Sequence, residues 1–457
     1  MLISVIGTGY LGATHAAGMA ELGFDVIGVD TDAAKIQALS QGRVPFHEPG
    51  LGELLLKHVE SGKLRFTTDI SEVHSCDVHF VCVGTPQGED GAADTSAVYA
   101  VTEALVQQVL RPTLIVGKST VPVGTAQALT DMINTIRPGA GIELAWNPEF
   151  LREGFAVKDT LHPDRLVFGV TGPAAELTLR KVYARAIAED TPVVTSDLAT
   201  AELVKVASNS FLATKISFIN AMAELCEVTG ADVTTLADAI GHDARIGRRF
   251  LNSGIGFGGG CLPKDIRALV ARAEELGQGE SVAFLREVDA INLRRRDRVI
   301  SMAASVVGDF TGVRIAVLGA AFKPDSDDVR DSPALDVAKR LHAAGAEVTV
   351  YDPAANLTAR SVAPQLRFAA NAQAACRQAD LVLHLTEWRD FAALDPVALR
   401  EVVRRPVLID ARNSLDATEW SRAGWRMLAP GRPEFAGQRS EKTAPAKSAS
   451  ARVANKA

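Results

Sequence analysis

Cysteine is scarce: the 457-residue chain has five, Cys76, Cys82, Cys226, Cys261 and Cys376. An odd, scattered set excludes a disulfide-stapled scaffold. With no Cys-x-x-Cys pair and no His/Cys cluster there is no zinc motif, and no metal is expected. Basic charge is also in deficit. Lys and Arg number 48 against 55 Asp and Glu, a formal net charge of -7, which excludes a nucleic-acid binder. An anionic ligand must therefore be held by local Lys and Arg against a mildly repulsive background. No apolar run reaches the roughly 18 residues of a spanning helix. The opening Met-Leu-Ile-Ser-Val-Ile-Gly is too short for a secretion signal and lacks its basic start. No membrane contact is expected, and a reducing cytoplasm is the expected home of these thiols.

What is present is an ordinary globular balance, 47% hydrophobic and 23% charged, in a chain long enough for two or three domains. Residues 2–6 are almost all apolar, as a strand covered on both faces should be. The turn Gly7-Thr-Gly-Tyr-Leu-Gly12, a helical stretch to about Glu21 and the strand Phe24–Asp30 complete a βαβ unit. Further buried strands are expected at 78–83, 114–116 and 142–145, alternating with helices, which indicates a parallel doubly wound sheet. From about Leu198 to Gly230 the pattern turns helical, with Leu203, Val206, Phe211, Ile216, Ile219, Met222 and Leu225 at spacings of mostly three to five. Such a long helix suits a joint between domains and a face against a partner subunit. A second β-α-β pattern starts at Val313, with strands expected at 347–351, 381–385 and 407–409. The expected fold is α/β: two Rossmann-like domains, 1–197 and 312–435, joined by a helical and dimerisation segment, 198–300. A disordered tail is expected over 436–457, where large apolar residues are few.

Gly-x-Gly-x-x-Gly is a weak signal alone. Between a buried strand and a helix, with Asp30 closing the next strand, it is a dinucleotide fingerprint. Gly7 allows the tight turn, Gly9 admits a pyrophosphate against the backbone, and Gly12 permits close helix–strand packing. The helix N-terminus favours the phosphates. Asp30 should bond the adenosine ribose and repel a 2′-phosphate, so NAD is expected over NADP. Thr85 and Thr120 follow apolar strands and face the same crevice, although either could be a plain turn residue.

The segment Gly254-Ile-Gly-Phe-Gly-Gly-Gly-Cys261-Leu-Pro-Lys264-Asp265 carries the chemistry. Its run of glycines forfeits conformational entropy, which close approach of the backbone to a ligand would justify. Pro263 suits a first helical turn, so Cys261 stands at a helix entrance beside Lys264, a setting expected to lower a thiol pKa and expose a nucleophile. The other four cysteines read as small buried hydrophobes. Lys205 and Asn209 share a helix face and could border a cleft. Glu149 and Glu153, in Asn147-Pro-Glu149-Phe-Leu-Arg152-Glu153-Gly154, are surface charges taken separately and acid/base candidates beside the cysteine loop.

With these motifs in order, and with Arg245-Ile-Gly and Phe322-Lys323-Pro-Asp-Ser-Asp-Asp-Val-Arg330, the chain resembles the UDP-glucose/GDP-mannose dehydrogenase family over residues 1–430. Within it, the stretch 209–220 is similar to the UDP-glucose branch. The resemblance implies a four-electron oxidation of a nucleotide sugar, UDP-glucose first and GDP-mannose as the alternative, using two NAD and a Cys261 thioester. It implies that Lys205 stabilises an oxyanion or moves a proton, that Asp265 and Thr120 position water, and that Glu149 is an acid/base, with Asn209 among the catalytic groups. NAD contacts are implied for Tyr10, Leu11, Lys35, Thr85, Thr120, Glu153, Lys264 and Arg330, beside the three fingerprint glycines and Asp30. Substrate contacts are implied for Glu149, Phe150, Leu151, Arg152, Glu153, Lys205, Asn209, Phe250, Leu251, Asn252, Ser253, Gly254, Gly258 and Lys323. Arg245 is implied to reach a neighbouring subunit's site in a homodimer. Gly260 departs from the serine of many relatives and is expected to affect loop flexibility more than chemistry. A non-catalytic NAD-binding sensor is the reading of a different class; the joint presence of Cys261, Lys205 and Asp265 speaks against it.

Overall fold

The structure, a computed structural model, describes residues 1–434; the expected tail at 436–457 lies outside the described residues. The first sheet is formed by β1 (Leu2–Ile6), β2 (Asp25–Val29), β3 (Leu64–Thr67), β4 (Val78–Val81), β5 (Thr113–Gly117), β6 (Ile142–Trp146), β7 (Leu166–Gly169) and β8 (Val193–Ser196). Its order is β3-β2-β1-β4-β5-β6-β7-β8. Strands β4 and β5 are buried along their whole length, the signature of a sheet covered by helices on both faces. Their one ionisable residue, His79, bonds Ser4 Oγ through Nδ1 at 2.7 Å. The sheet is parallel, as expected, except that β6 and β7 run antiparallel where Trp146 meets Gly169. Beside that joint, a Cβ on Gly117 would lie 2.1 Å from the Trp146 ring, so glycine lets the indole close over β5.

The second sheet is formed by β9 (Arg314–Leu318), β10 (Glu347–Tyr351), β11 (Arg367–Phe368), β12 (Leu381–His384), β13 (Val407–Asp410) and β14 (Arg426–Leu428). Its order, β11-β10-β9-β12-β13-β14, is parallel throughout. In each sheet the strand order reverses beside the first strand, at β1/β4 and at β9/β12. Those two switch points place a crevice beyond the carboxyl ends of the strands.

Between the sheets run the long helix Leu198–Thr229, the cysteine helix Leu262–Glu275 and the helix Phe284–Val307. The third continues past residue 300, where the sequence reading ended the central segment. Asp197 caps the long helix through the amide of Thr200, and Gly230, at φ 76°, stops it. Its noted apolar positions divide between faces: Val206 and Ile219 are buried. Leu203, Phe211 and Leu225 point outward, while Ala201, Lys205, Asn209, Ala213, Ser217 and Asn220 face the interior. A helix squeezed between two α/β layers needs small side chains inward, and the few polar ones it buries must find partners.

Among the described residues, no helix is long and apolar enough to cross a membrane, and no group of three or more His, Cys, Asp or Glu could hold a metal.

Candidate active site

The β1/β4 crevice fits a dinucleotide. Gly7 has φ +88°, which L side chains rarely adopt, and a Cβ there would meet Val83 at 2.8 Å. On Gly12 a Cβ would lie 1.8 Å from Gly7 O, so the glycine is what lets helix and turn pack. Over Gly9 nothing lies within 4 Å, leaving open space where a diphosphate would approach. The helix Tyr10–Glu21 begins with no side-chain cap, so its first N–H groups, including those of Tyr10 and Leu11, face that space.

Asp30, at the end of β2, accepts from Thr8 N at 2.9 Å and Asp32 N at 3.0 Å. It also pairs with Lys35 at 2.9 Å. Burial opposes its charge, but Lys35 and the amides outweigh burial and hold its carboxyl below the usual range. Lys35 thus offsets part of the charge expected to repel a 2′-phosphate. Thr85 donates to Thr120 O at 2.8 Å, tying together the two loops expected on this face. Thr120 and Lys264 line one small cavity with Val206.

Cys261 stands at the N-terminus of its helix, as expected, with Pro263 in the first turn. Around it the structure gathers Lys205, Asn209, Glu149 and Asp265. Lys205 donates to Glu149 Oε1 at 2.9 Å, and Asn209 Nδ2 donates to Asp265 Oδ2 at 2.6 Å. The other Glu149 oxygen accepts from Leu151 N at 2.6 Å. Burial works against charge on Lys205, yet Glu149, then Cys261 and Asp265, more than offset it and raise its pKa.

The thiol itself corrects the sequence expectation. Cys261 is exposed as a residue, yet protein packs around it on most sides. That enclosure, then the Glu149 carboxylate, pushes the thiol up to about 11, against the pull of Lys205. Lys264 does not answer Cys261; its ammonium lies 2.8 Å from Asp265. In this state the nucleophile is a neutral thiol, and a base must take its proton.

The glycine loop also makes close contacts with protein. A Cβ on Gly254 would lie 2.6 Å from Ala411 O, on Gly256 2.5 Å from Asn292 Oδ1, and on Gly258 2.2 Å from Asp331 O. The loop is wedged against the second sheet and the helix Phe284–Val307. Gly260 leaves room for the Arg330 guanidinium, which a Cβ would meet at 2.4 Å. Arg330 in turn pairs with Asp328 at 2.6 Å and with Glu153 at 3.4 Å. Ser326 donates to Glu153 at 2.8 Å and Lys323 donates to Glu153 O at 2.6 Å. Burial, then Asp328, pushes Glu153 up to about 7. Segment 322–330 therefore reaches from the second sheet to the loop after β6.

The remaining expected residues are placed less centrally. The Phe150 ring lies 3.8 Å from the Arg165 guanidinium and 5.5 Å from Lys205 Nζ. Arg152 is taken up by Asp159 through Nε at 2.9 Å and Nη2 at 2.6 Å, so its fork already has a carboxylate partner. Phe250 has φ +66°, an uncommon conformation for a bulky residue. Leu251 is buried, Asn252 accepts from Arg248 at 2.8 Å, and Ser253 accepts from Asn413 at 3.1 Å. Arg245 is paired with its near neighbour Asp243 at 2.6 Å, with 89% of its side chain exposed, and takes no part in the cluster around Cys261.

Sequence reasoning missed two groups. Glu48 accepts from Gly154 N at 2.6 Å and Ala156 N at 2.7 Å and bonds the Tyr10 hydroxyl, clamping the glutamate loop to the fingerprint helix. Lys118, read only as part of a loop, is buried beneath Asn147 and Glu149. A lysine directly after a fully apolar strand was the available signal for it.

The fold and site define a dinucleotide-binding oxidoreductase with a cysteine at the junction of two nucleotide-binding sheets. The chain belongs to the UDP-glucose/GDP-mannose dehydrogenase family, matching its NAD binding domain over residues 1–187, its central domain over 199–294 and its UDP binding domain over 316–417. It is 42% identical to a UDP-glucose 6-dehydrogenase of Rhizobium meliloti (strain 1021), covering 95% of this chain and 100% of that one. It is 39% identical to the UDP-glucose 6-dehydrogenase TuaD of Bacillus subtilis (strain 168), covering 95% and 94%. Among solved structures it is similar to a UDP-glucose dehydrogenase of Pyrobaculum islandicum, at 36% identity and a TM-score of 0.87, covering 94% and 98%. NAD is the cofactor of this family's first domain.

Proposed function

We propose that this enzyme oxidises the C6 alcohol of UDP-glucose to the carboxylate of UDP-glucuronate in two NAD-dependent steps on one active site. The observation that carries it is the convergence of Lys205, Glu149, Asn209 and Asp265 on the Cys261 thiol, at the mouth of the dinucleotide crevice. Residues 1–197 hold NAD around Gly7, Gly9, Gly12 and Asp30, and residues 312–435 hold the nucleotide of the sugar. NAD bound in the first domain would supply the hydride acceptor for each oxidation.

In the first oxidation the C6 hydroxyl gives its proton to the Lys205–Glu149 pair as a hydride leaves C6, which produces an aldehyde. The pair releases that proton to solvent; Glu149 then takes the Cys261 thiol proton as the sulfur forms a C–S bond to the aldehyde carbon, and passes it to solvent in turn. Lys205 stabilises the oxyanion of the thiohemiacetal. Departure of the second hydride leaves a thioester. Water held by Asp265 and Thr120 adds to it, Glu149 accepts the water's proton, and the C–S bond breaks with its electron pair returning to sulfur.

Arg245 lies far out on the surface, and the long helix carries Phe211, Phe218 and Leu225 outward. These features support a homodimer in which Arg245 serves the neighbouring subunit. The need for a free thiol at Cys261 supports a cytoplasmic location.

The test is NADH production with UDP-glucose, GDP-mannose and N-acetylated UDP-sugars. UDP-glucose should be the preferred substrate and should yield about two NADH per sugar, because the thioester carries the aldehyde forward. One NADH with free aldehyde would contradict the mechanism. An active monomer in sedimentation at assay concentration would contradict the dimer.

A further inference from the structure

Lys118 follows β5 directly and is buried, and no carboxylate oxygen lies within ion-pair distance of its nitrogen among the described residues. Burying an ammonium without a counter-ion is costly, and an apolar residue of similar shape would be cheaper. Its hydrogen bonds all converge on one point. Nζ donates to Asn147 Oδ1 at 3.0 Å, to Asn147 O at 3.3 Å and to Tyr183 OH at 3.3 Å. Tyr183 donates its own hydroxyl to the same Asn147 Oδ1 at 2.6 Å. The Asn147 amide donates to Val167 O at 2.9 Å, and its backbone N–H to Gly117 O at 2.8 Å. Asn147 is thus held on every side, at the end of β6 and two residues before Glu149. The intervening Pro148 keeps Asn147 extended.

A cavity opens behind this point, where Lys118, Asn147, Glu149, Tyr183 and His15 meet apolar residues such as Phe150 and Leu166. The charged groups acting on Lys118 are Glu149, which attracts it, and Lys205, which repels it; Cys82, His15 and Tyr183 are its other titratable neighbours, and Asp159, Asp164 and Arg165 line the same cavity. Burial lowers the Lys118 ammonium to about 8.

We propose that Lys118 is a positioning residue for the reaction at Cys261: through Asn147 and Tyr183 it fixes the loop that presents Glu149 to Lys205, and it supplies the positive charge behind that carboxylate. This rests on the acid/base role given to Glu149 above. Lys118 touches no reacting atom; it acts through Asn147 and through its field.

The test compares full-length Lys118→Met, Lys118→Arg, Tyr183→Phe and Glu149→Gln with the unaltered enzyme, using UDP-glucose and NAD. Lys118→Met should fold, keep its NAD affinity and hold both KM values within about threefold while kcat falls about tenfold or more. Its acid limb in the kcat–pH profile should move up by about half a unit, since loss of a nearby cation disfavours an ionised carboxylate. Lys118→Arg, which keeps the charge, should return the limb to its original place. A Lys118→Met enzyme with unaltered kcat and unaltered limb overturns the proposal, that being the behaviour of a buried ion with a purely structural role.

If Lys118→Met does not accumulate as folded protein, Tyr183→Phe decides. A fall in kcat of about threefold at constant KM is expected, and none overturns the proposal. Glu149→Gln separates the two ways of failing. Full turnover in that variant removes the role of Glu149 itself. Impaired turnover there beside a normal Lys118→Met removes only the role of Lys118.

Discussion

After β1 the amide of Gly7 donates to Val29 O at 2.8 Å, and after β9 the amide of Gly319 donates to Tyr351 O at 2.8 Å. Both glycines have positive φ, 88° and 111°. In both sheets an aspartate follows the second strand and accepts a backbone amide from the turn: Thr8 N on Asp30 at 2.9 Å and Ala320 N on Asp352 at 2.7 Å. There the likeness ends. Asp30 is only partly covered and shares its carboxylate with Lys35, leaving capacity for a ribose. Asp352 is buried and is saturated by Ala320, Ala321, Ala354, Ala355 and Trp388.

In the first half the helix opens at Tyr10, directly after the turn. In the second, residues 320–332 intervene before the helix Pro333–Ala343, and within them Lys323, Ser326 and Arg330 bond Glu153. One strand–turn frame therefore does two jobs. Where the acid stays open and the turn is short, it seats a dinucleotide. Where the acid is consumed by its own backbone, the loop is free to cross over and close the site from above.

The largest expected effect tests whether the junction, rather than either half, carries the chemistry. Cys261→Ser should lower uronate production about a thousandfold or more with NAD affinity unchanged. The same change at buried Cys76, Cys82, Cys226 or Cys376 should cost about 1–3 kcal/mol of stability and spare turnover. Steady-state kinetics beside NAD titration for all five variants checks this. Normal turnover in Cys261→Ser would remove covalent catalysis.

Next comes the contrast between the two aspartates. Asp352→Ala unpairs several buried N–H groups and should destabilise by about 3 kcal/mol in urea unfolding. Asp30→Ala should cost less than about 1 kcal/mol, yet weaken NAD about tenfold and narrow the gap to NADP. Equal destabilisation by the two changes would break the comparison.

A third measurement follows the Cys261 thiol. Alkylation of the ligand-free enzyme should keep accelerating as pH rises toward about 11, because a raised thiol stays neutral below that value. Glu149→Gln removes the largest charge opposing the thiolate and should shift that rise to lower pH. A plateau already at about pH 8 would mean that the helix N-terminus and Lys205 prevail.

The smallest expected effect is at Gly260→Ser. The atoms it would crowd are the far end of the Arg330 side chain, which can swing aside. Stability should change by less than about 1 kcal/mol and kcat by less than about twofold, read by thermal melting and initial rates.

Much of this was legible in residue order. Interior strands covered on both faces, such as β1, β4 and β5, must be mostly apolar, and the fingerprint glycines and Cys261 stand where chain geometry admits few alternatives. The edge strands β3, β8, β11 and β14, and the buried β7, were not foreseen. Val193–Ser196 is largely exposed, and Arg426–Leu428 is three residues long, too short to show a period. The outward turn of Leu203, Phe211 and Leu225 was equally hidden, since an apolar stripe does not say which of two faces will be covered.

Residue order by itself determined the two βαβ frames, the dinucleotide turn and the cysteine at a helix entrance, because each depends on contacts among residues close in sequence. Only the tertiary structure decided that Cys261 sits as a neutral thiol between Lys205 and Glu149, that the glycine loop is pressed against Ala411 and Asp331, and that a buried lysine stands behind Glu149. These depend on desolvation and on charges brought together from distant parts of the chain, and neither exists until the layers have packed.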